Sequence, residues 1–150
     1  MKSLLLTALG LLWFCSARAD DLADARAAFD TLVEYQKSDD ARSPDLFAKD
    51  VEATFTLSDG TKEKPFVLKG NEFRQWLLKE LARKAGMKDT YDELKFTPEG
   101  MGVRLNAQIV FADTGRRAPF SLLYQRDPEG VLRIKEMKVF IPVPSLGPSV

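Results

Sequence analysis

The sequence predicts an α+β fold in which a curved sheet packs over helices. Three observations predict it. First, four consecutive runs between Tyr91 and Ile141 alternate apolar and polar residues. Val103, Leu105, Ala107, Ile109 and Phe111 interleave with Arg104, Asn106 and Gln108; Phe120, Leu122 and Tyr124 repeat the pattern, and so do Leu132 and Ile134. A period of two is that of a half-buried strand. Second, Asp113 to Gly115 and Asp127 to Gly130 are turn-formers that join these runs closely, which makes a meander. Third, the N-terminal half carries helical-period stripes. They are the available cover for the apolar face of the meander.

In chain order, the first 19 residues read as a secretory leader, with Lys2 at the start and an apolar stretch of 11 residues from Leu4 to Phe14. Ala17, Arg18 and Ala19 then form a cleavage site before Asp20 and Asp21. The apolar run is shorter than the roughly 20 residues a bilayer span needs. Bulky Leu12, Trp13 and Phe14 before Cys15 argue against lipid attachment. The mature chain is then a single domain over residues 20–150, periplasmic or secreted, with a leader of bacterial style cleaved after Ala19.

A first helix is expected from about Asp21 to Lys37. Leu22, Ala25, Phe29, Leu32, Val33 and Gln36 fall on one face. Ser43 reads as the cap of a short second helix with Pro44 at its first position. Val51, Ala53, Phe55 and Leu57 predict a strand, the residues 58–60 a turn, and the residues 65–68 a returning strand. Asn71 reads as the cap of a third helix whose stripe is Phe73, Trp76, Leu77, Leu81 and Ala85. Gly86 is its expected stop. In the last strand Leu132 and Ile134 keep one phase, while Met137, Val139 and Ile141 keep the other. A bulge near Lys135 and Glu136 accounts for the change. Residues 142–150 are an irregular, proline-rich tail.

Composition excludes several chemistries. The chain has no histidine, and its one cysteine, Cys15, lies in the leader. Ser-His and Cys-His catalysis are therefore excluded, as are imidazole metal sites and disulfides in the mature domain. No cofactor and no metal are expected. Loss of Lys2 and Arg18 with the leader leaves 20 basic residues against 22 acidic ones. That near balance argues against a nucleic-acid partner, and with the leader gone no membrane partner is expected either.

The order of elements, together with Leu46, Phe47, Ala48, Lys49, Asp50, Val51, Glu52 and Ala53 ahead of the first strand, resembles the NTF2-like superfamily, including its SnoaL-like and ketosteroid-isomerase-like members. The resemblance spans about residues 21–141. It implies a cone: a mixed, mostly antiparallel sheet wrapped over three N-terminal helices, enclosing a pocket. In isomerase-like members of the family a general-base aspartate sits on the first strand, and the matching position here is Phe55. Their enolate-stabilising tyrosine on the first helix falls near Leu32. Dehydratase-like members use histidines, which this chain lacks. The resemblance thus implies the fold without the family's catalytic groups, and no catalytic residue is assigned.

The leading expectation is an exported, non-catalytic domain that binds a small hydrophobic ligand, lined by Phe29, Leu32, Phe55, Trp76, Tyr124 and Phe140. One alternative is a periplasmic protein-interaction module, of immunity type or an accessory of an envelope machine. It would use the polar stripe Arg104, Asn106 and Gln108, and the same sheet face offers a route to a homodimer. Another is a carboxylate-based isomerase or lyase, for which Glu136 at the bulge is the best acid. Tyr35, Tyr91 and Tyr124 are candidate hydroxyl donors.

Overall fold

A computed structural model describes residues 19–148. The leader predicted over residues 1–19 lies outside them except for Ala19, as do the last two residues of the tail. Helix α1 spans Ala19–Lys37, with Asp20 and Asp21 at its positive end and Lys37 at its negative end. Ala25, Phe29 and Leu32 are its fully buried residues. It stops where Asp39 takes a left-handed φ of 52° and the Asp40 N–H returns to the Tyr35 carbonyl.

A single 3₁₀ turn, Ser43–Leu46, follows. Ser43 does not cap it as expected. Arg42 holds the cap position, and the buried Ser43 hydroxyl instead donates to the Asp40 carbonyl at 2.9 Å. Strand β1 (Phe47–Ser58) and strand β2 (Glu63–Lys69) form an antiparallel hairpin. Helix α2 spans Gly70–Arg83. Asn71 is not its cap, because Gly70 starts the helix one residue earlier with φ +50°. A Cβ there would stand 3.0 Å from the Lys49 carbonyl oxygen, so glycine suits both the conformation and the close approach. The described residues therefore form two α-helices and one 3₁₀ turn where three helices were expected.

Strands β3 (Thr90–Glu99), β4 (Gly102–Val110), β5 (Arg117–Arg126) and β6 (Leu132–Pro142) are the meander. All six strands make one sheet in the order β2-β1-β6-β5-β4-β3. The meander and the first hairpin join through a parallel β1–β6 pair. The sheet is thus mixed, with its first and last strands side by side.

The irregularity expected in the last strand is present. Tyr124 pairs with Ile134 and Leu123 with Glu136, which leaves Lys135 as the extra residue. Ile134 and Met137 consequently both face the core. On the other side of β6, Phe47 lies opposite Ile134 and Glu52 opposite Glu136, so β1 bows away between them. A further bulge lies in β3 between Asp92 and Lys95, where Glu93 has φ 54°. Bulges add local twist and bend a strand. Their placement curls the inner face around α1 and α2.

The tail is held to the β1–β2 turn, beside the end of β6. The Val143 N–H donates to the Ser58 carbonyl and the Leu146 N–H to the Asp59 carboxylate, at 2.9 and 3.1 Å. Asp59 also accepts from the Lys62 and Thr61 N–H groups at 2.7 and 2.9 Å. These backbone donors hold its carboxyl far below the usual range.

Candidate functional site

The curled sheet and the two helices do not close completely. Between them lies a cavity of about 250 Å³. Its inner wall is apolar. The sheet contributes Phe55, Phe120, Ile109, Val139 and Met137, helix α1 contributes Leu32 and Val33, and helix α2 contributes Trp76, Leu77 and Leu81. Alternation along each strand is what points these residues inward. The rings support one another: Phe55 lies 4.5 Å from Trp76 and 5.1 Å from Phe66, and Tyr91 lies 4.9 Å from Phe120.

The mouth of the cavity is charged. It is built from the end of α1, the segment 84–89 after α2, and the β4–β5 turn. Lys84 bridges to Asp89 at 3.1 Å, and the other oxygen of Asp89 accepts the Ala112 N–H at 2.9 Å. Lys88 donates to the Gln36 carbonyl at 3.0 Å and pairs with Asp39. Arg83 pairs with Glu80 at 2.6 Å. Three stretches far apart in sequence are thereby tied around one opening.

One polar pair lies deeper. The Tyr91 hydroxyl donates to the Gln36 side-chain oxygen at 3.0 Å. Withdrawal from water pushes the Tyr91 hydroxyl well above its ordinary value, and this outweighs the hydrogen bond to Gln36. Tyr91 therefore stays protonated and remains a donor.

Of the six residues expected to line the pocket, Leu32, Phe55 and Trp76 stand on the cavity wall. Phe29 is buried behind it, edge-on to Tyr91 at 5.4 Å. Tyr124 is buried in the core, away from the cavity. Phe140 is on the outer face of the sheet, in a shallow depression with Arg104, Ser121 and Lys138. The phase that turns Val139 and Ile141 inward turns Phe140 outward. The reading of residues alone missed Gln36, Tyr91 as its partner, and the whole charged mouth. Gln36 was visible as the one polar residue on the apolar face of the first helix.

The other candidates also have defined places. Tyr35 lies under the Arg42 guanidinium, 4.8 Å from ring centre to carbon. Glu136 faces outward, 2.9 Å from Lys138 and 3.1 Å from Arg104. Burial pushes its carboxyl up, but hydrogen bonds from Lys138 and Arg104 outweigh that and hold it below the usual range. It is not an acid of raised pKa at the cavity. Arg104 also donates to Glu99 at 2.7 Å and Ser121 at 3.1 Å, which gathers β3, β5 and β6 on the outer face.

Tyr124 has a consequence of its own. Its hydroxyl is buried with no hydrogen-bond partner among the described residues. An unsatisfied buried hydroxyl costs about 1–3 kcal/mol. Tyr124→Phe is therefore expected to stabilise the fold by about 1 kcal/mol. The check is the urea-unfolding free energy; a loss of stability of that size would mean that the hydroxyl is in fact satisfied.

No family model matches the sequence, and no curated protein matches it. Solved structures do match. A candidate dehydratase from the NTF2-like family of Streptomyces avermitilis superposes with a TM-score of 0.64, covering 84% of this chain and 98% of its own, at 14% identity. A protein of unknown function from Pectobacterium atrosepticum gives 0.61 over 82% and 91%, at 22% identity. An NTF2-like protein of unknown function from Silicibacter pomeroyi gives 0.57 over 81% and 95%, at 15% identity. The class of protein defined here is an α+β cone with an inner cavity. The chain has the NTF2-like fold. Likeness at these identities is likeness of fold, and function has to be argued from the site.

Among the described residues no helix is long and apolar enough to cross a membrane, and no group of acidic residues is placed to hold a metal ion.

Proposed function

We propose that this chain is an exported, non-catalytic domain of the NTF2-like fold that holds a small hydrophobic molecule in its cavity. The observation that carries this reading is the cavity itself: an apolar inner wall beneath a charged mouth. An apolar pocket with a few polar groups is the common form of a small-molecule site. Its volume suits one or two fused rings or a short acyl chain.

The wall positions support the non-catalytic part. Phe55 and Leu32, where the resemblance implies a base and an enolate-stabilising hydroxyl, both line the cavity as hydrocarbon. The carboxylates that reach the cavity stand at its mouth, and Asp39, Glu80 and Asp89 are ion-paired there. The outer sheet face supports the interaction-module and homodimer readings less well, because its central cation, Arg104, is already paired with Glu99 and Glu136.

Trp76 supplies the test. Trp13 lies in the leader, so Trp76 is the single tryptophan of the chain from Asp20 onward. Titration with tetralin, a fused-ring hydrocarbon, is expected to give a saturable change in Trp76 emission. Emission unaltered up to the solubility limit of tetralin would contradict the proposal.

A further inference from the structure

Two side chains that line the cavity, Gln36 and Trp76, carry N–H groups with no acceptor among the described residues. Gln36 is fixed at two points: its side-chain oxygen accepts from Tyr91 at 3.0 Å, and its carbonyl accepts from Lys88 at 3.0 Å. With that oxygen engaged, the amide N–H₂ is the half left over. It meets no acceptor among the described residues although Gln36 lines the cavity. The indole N–H of Trp76, on the α2 wall, likewise meets none.

The charges at the mouth narrow the ligand further. Each lysine or arginine lining the cavity has a carboxylate partner: Lys37 with Glu34 at 3.5 Å, Arg83 with Glu80 at 2.6 Å, Lys84 with Asp89 at 3.1 Å, and Lys88 with Asp39. An anionic ligand would enter an apolar site and find no free counter-charge, which makes its desolvation costly. A cationic ligand would meet Asp113 at the mouth, a carboxylate without an ion pair among the described residues, but inside it would set N–H against the N–H groups of Gln36 and Trp76 and lose its hydration. A neutral acceptor fits both the wall and the mouth.

We infer that the ligand is an uncharged, mainly hydrocarbon molecule bearing a carbonyl or ether oxygen, and that the Gln36 side-chain N–H, oriented by Tyr91, receives that oxygen. This rests on the cavity being a binding site and adds the head group that the site selects.

The test uses one hydrocarbon body with different heads: tetralin, tetralone, and tetralin carrying a carboxylate or an ammonium group. Isothermal titration of the chain from Asp20 onward is expected to show tetralone binding roughly tenfold tighter than tetralin, the gain of one buried hydrogen bond. Both charged derivatives are expected to bind more weakly than tetralin. Gln36→Met is expected to bring tetralone and tetralin to equal affinity, with urea unfolding of the variant showing that it is folded. Tyr91→Phe frees the amide to rotate and is expected to lower the preference for tetralone without abolishing tetralin binding. Equal binding of tetralone and tetralin by the parent protein overturns the inference and leaves the cavity reading standing. Equal weakening of both probes by Gln36→Met also overturns it, since the amide would then act by shape alone. Binding of neither probe overturns both readings together.

Discussion

Val139→Phe is expected to abolish binding of a tetralin-sized molecule while the protein melts at a higher temperature than the parent. Val139 sits at the centre of the inner wall, paired with Phe55 on β1 and Phe120 on β5, and its side chain borders the cavity. A phenyl ring there enters space that is already open, so the usual penalty for overfilling a core does not apply. Filling an existing cavity commonly stabilises a protein by about 0.5–2 kcal/mol. About 1 kcal/mol corresponds to a rise of roughly 4 °C in Tm for a domain of this size. The two measurements are a thermal melt and a tetralin titration. A variant that is at least as stable as the parent yet binds equally well would place the ligand elsewhere.

Phe73→Ala should be among the most damaging single truncations. Phe73 is fully buried on α2 and packs edge-on to Phe47 at 4.8 Å and against Trp76 at 5.9 Å. It is the clamp between α2 and the start of β1, reinforced by Arg74 donating to the Phe47 carbonyl at 2.8 Å. Truncating a buried phenylalanine costs about 3–5 kcal/mol. That is a large share of the 5–15 kcal/mol typical of a whole domain. Because α2 carries Trp76, Glu80 and Leu81 to the cavity, binding should fall along with stability. Phe66→Ala is the contrast: Phe66 stacks on Phe55 but is 39% exposed, and its loss should cost about 1 kcal/mol or less. Urea unfolding of the two variants checks both values. Similar costs at the two positions would mean that α2 is not held by the Phe73 contact.

Much of this architecture is legible in the residues because it rests on local periodicity. The alternation from Val103 to Phe111 requires β4, and the phase change between Ile134 and Met137 requires the bulge at Lys135. The parallel pairing of β1 with β6 is of another kind. It joins residues more than 80 positions apart, and no local pattern carries a partner's identity. The helix starts were misread for a local reason. Asn71 and Ser43 have the right chemistry for caps, but the positive φ of Gly70 and the carbonyl of Asp40 decide the two turns.

The site divides in the same way. Leu32, Phe55 and Trp76 lie on regular elements, whose inward faces can be counted, and all three reach the cavity wall. Phe140 could have been set aside by the same counting, since it lies one residue out of phase with Val139 and Ile141. The mouth could not have been read this way. Asp39, Lys84, Lys88 and Asp89 come from two loops brought together by the fold, and nothing in either loop announces the other.

The central claim is that the cavity is occupied in its working state by a small apolar molecule. The most direct measurement is native mass spectrometry of the protein gently isolated from its own host. The expected result is a chain carrying a small extra mass that departs on mild activation and is absent from Val139→Phe. A bare chain, or one associated only with another protein, would contradict the claim and shift the weight to an interaction role for the outer sheet face.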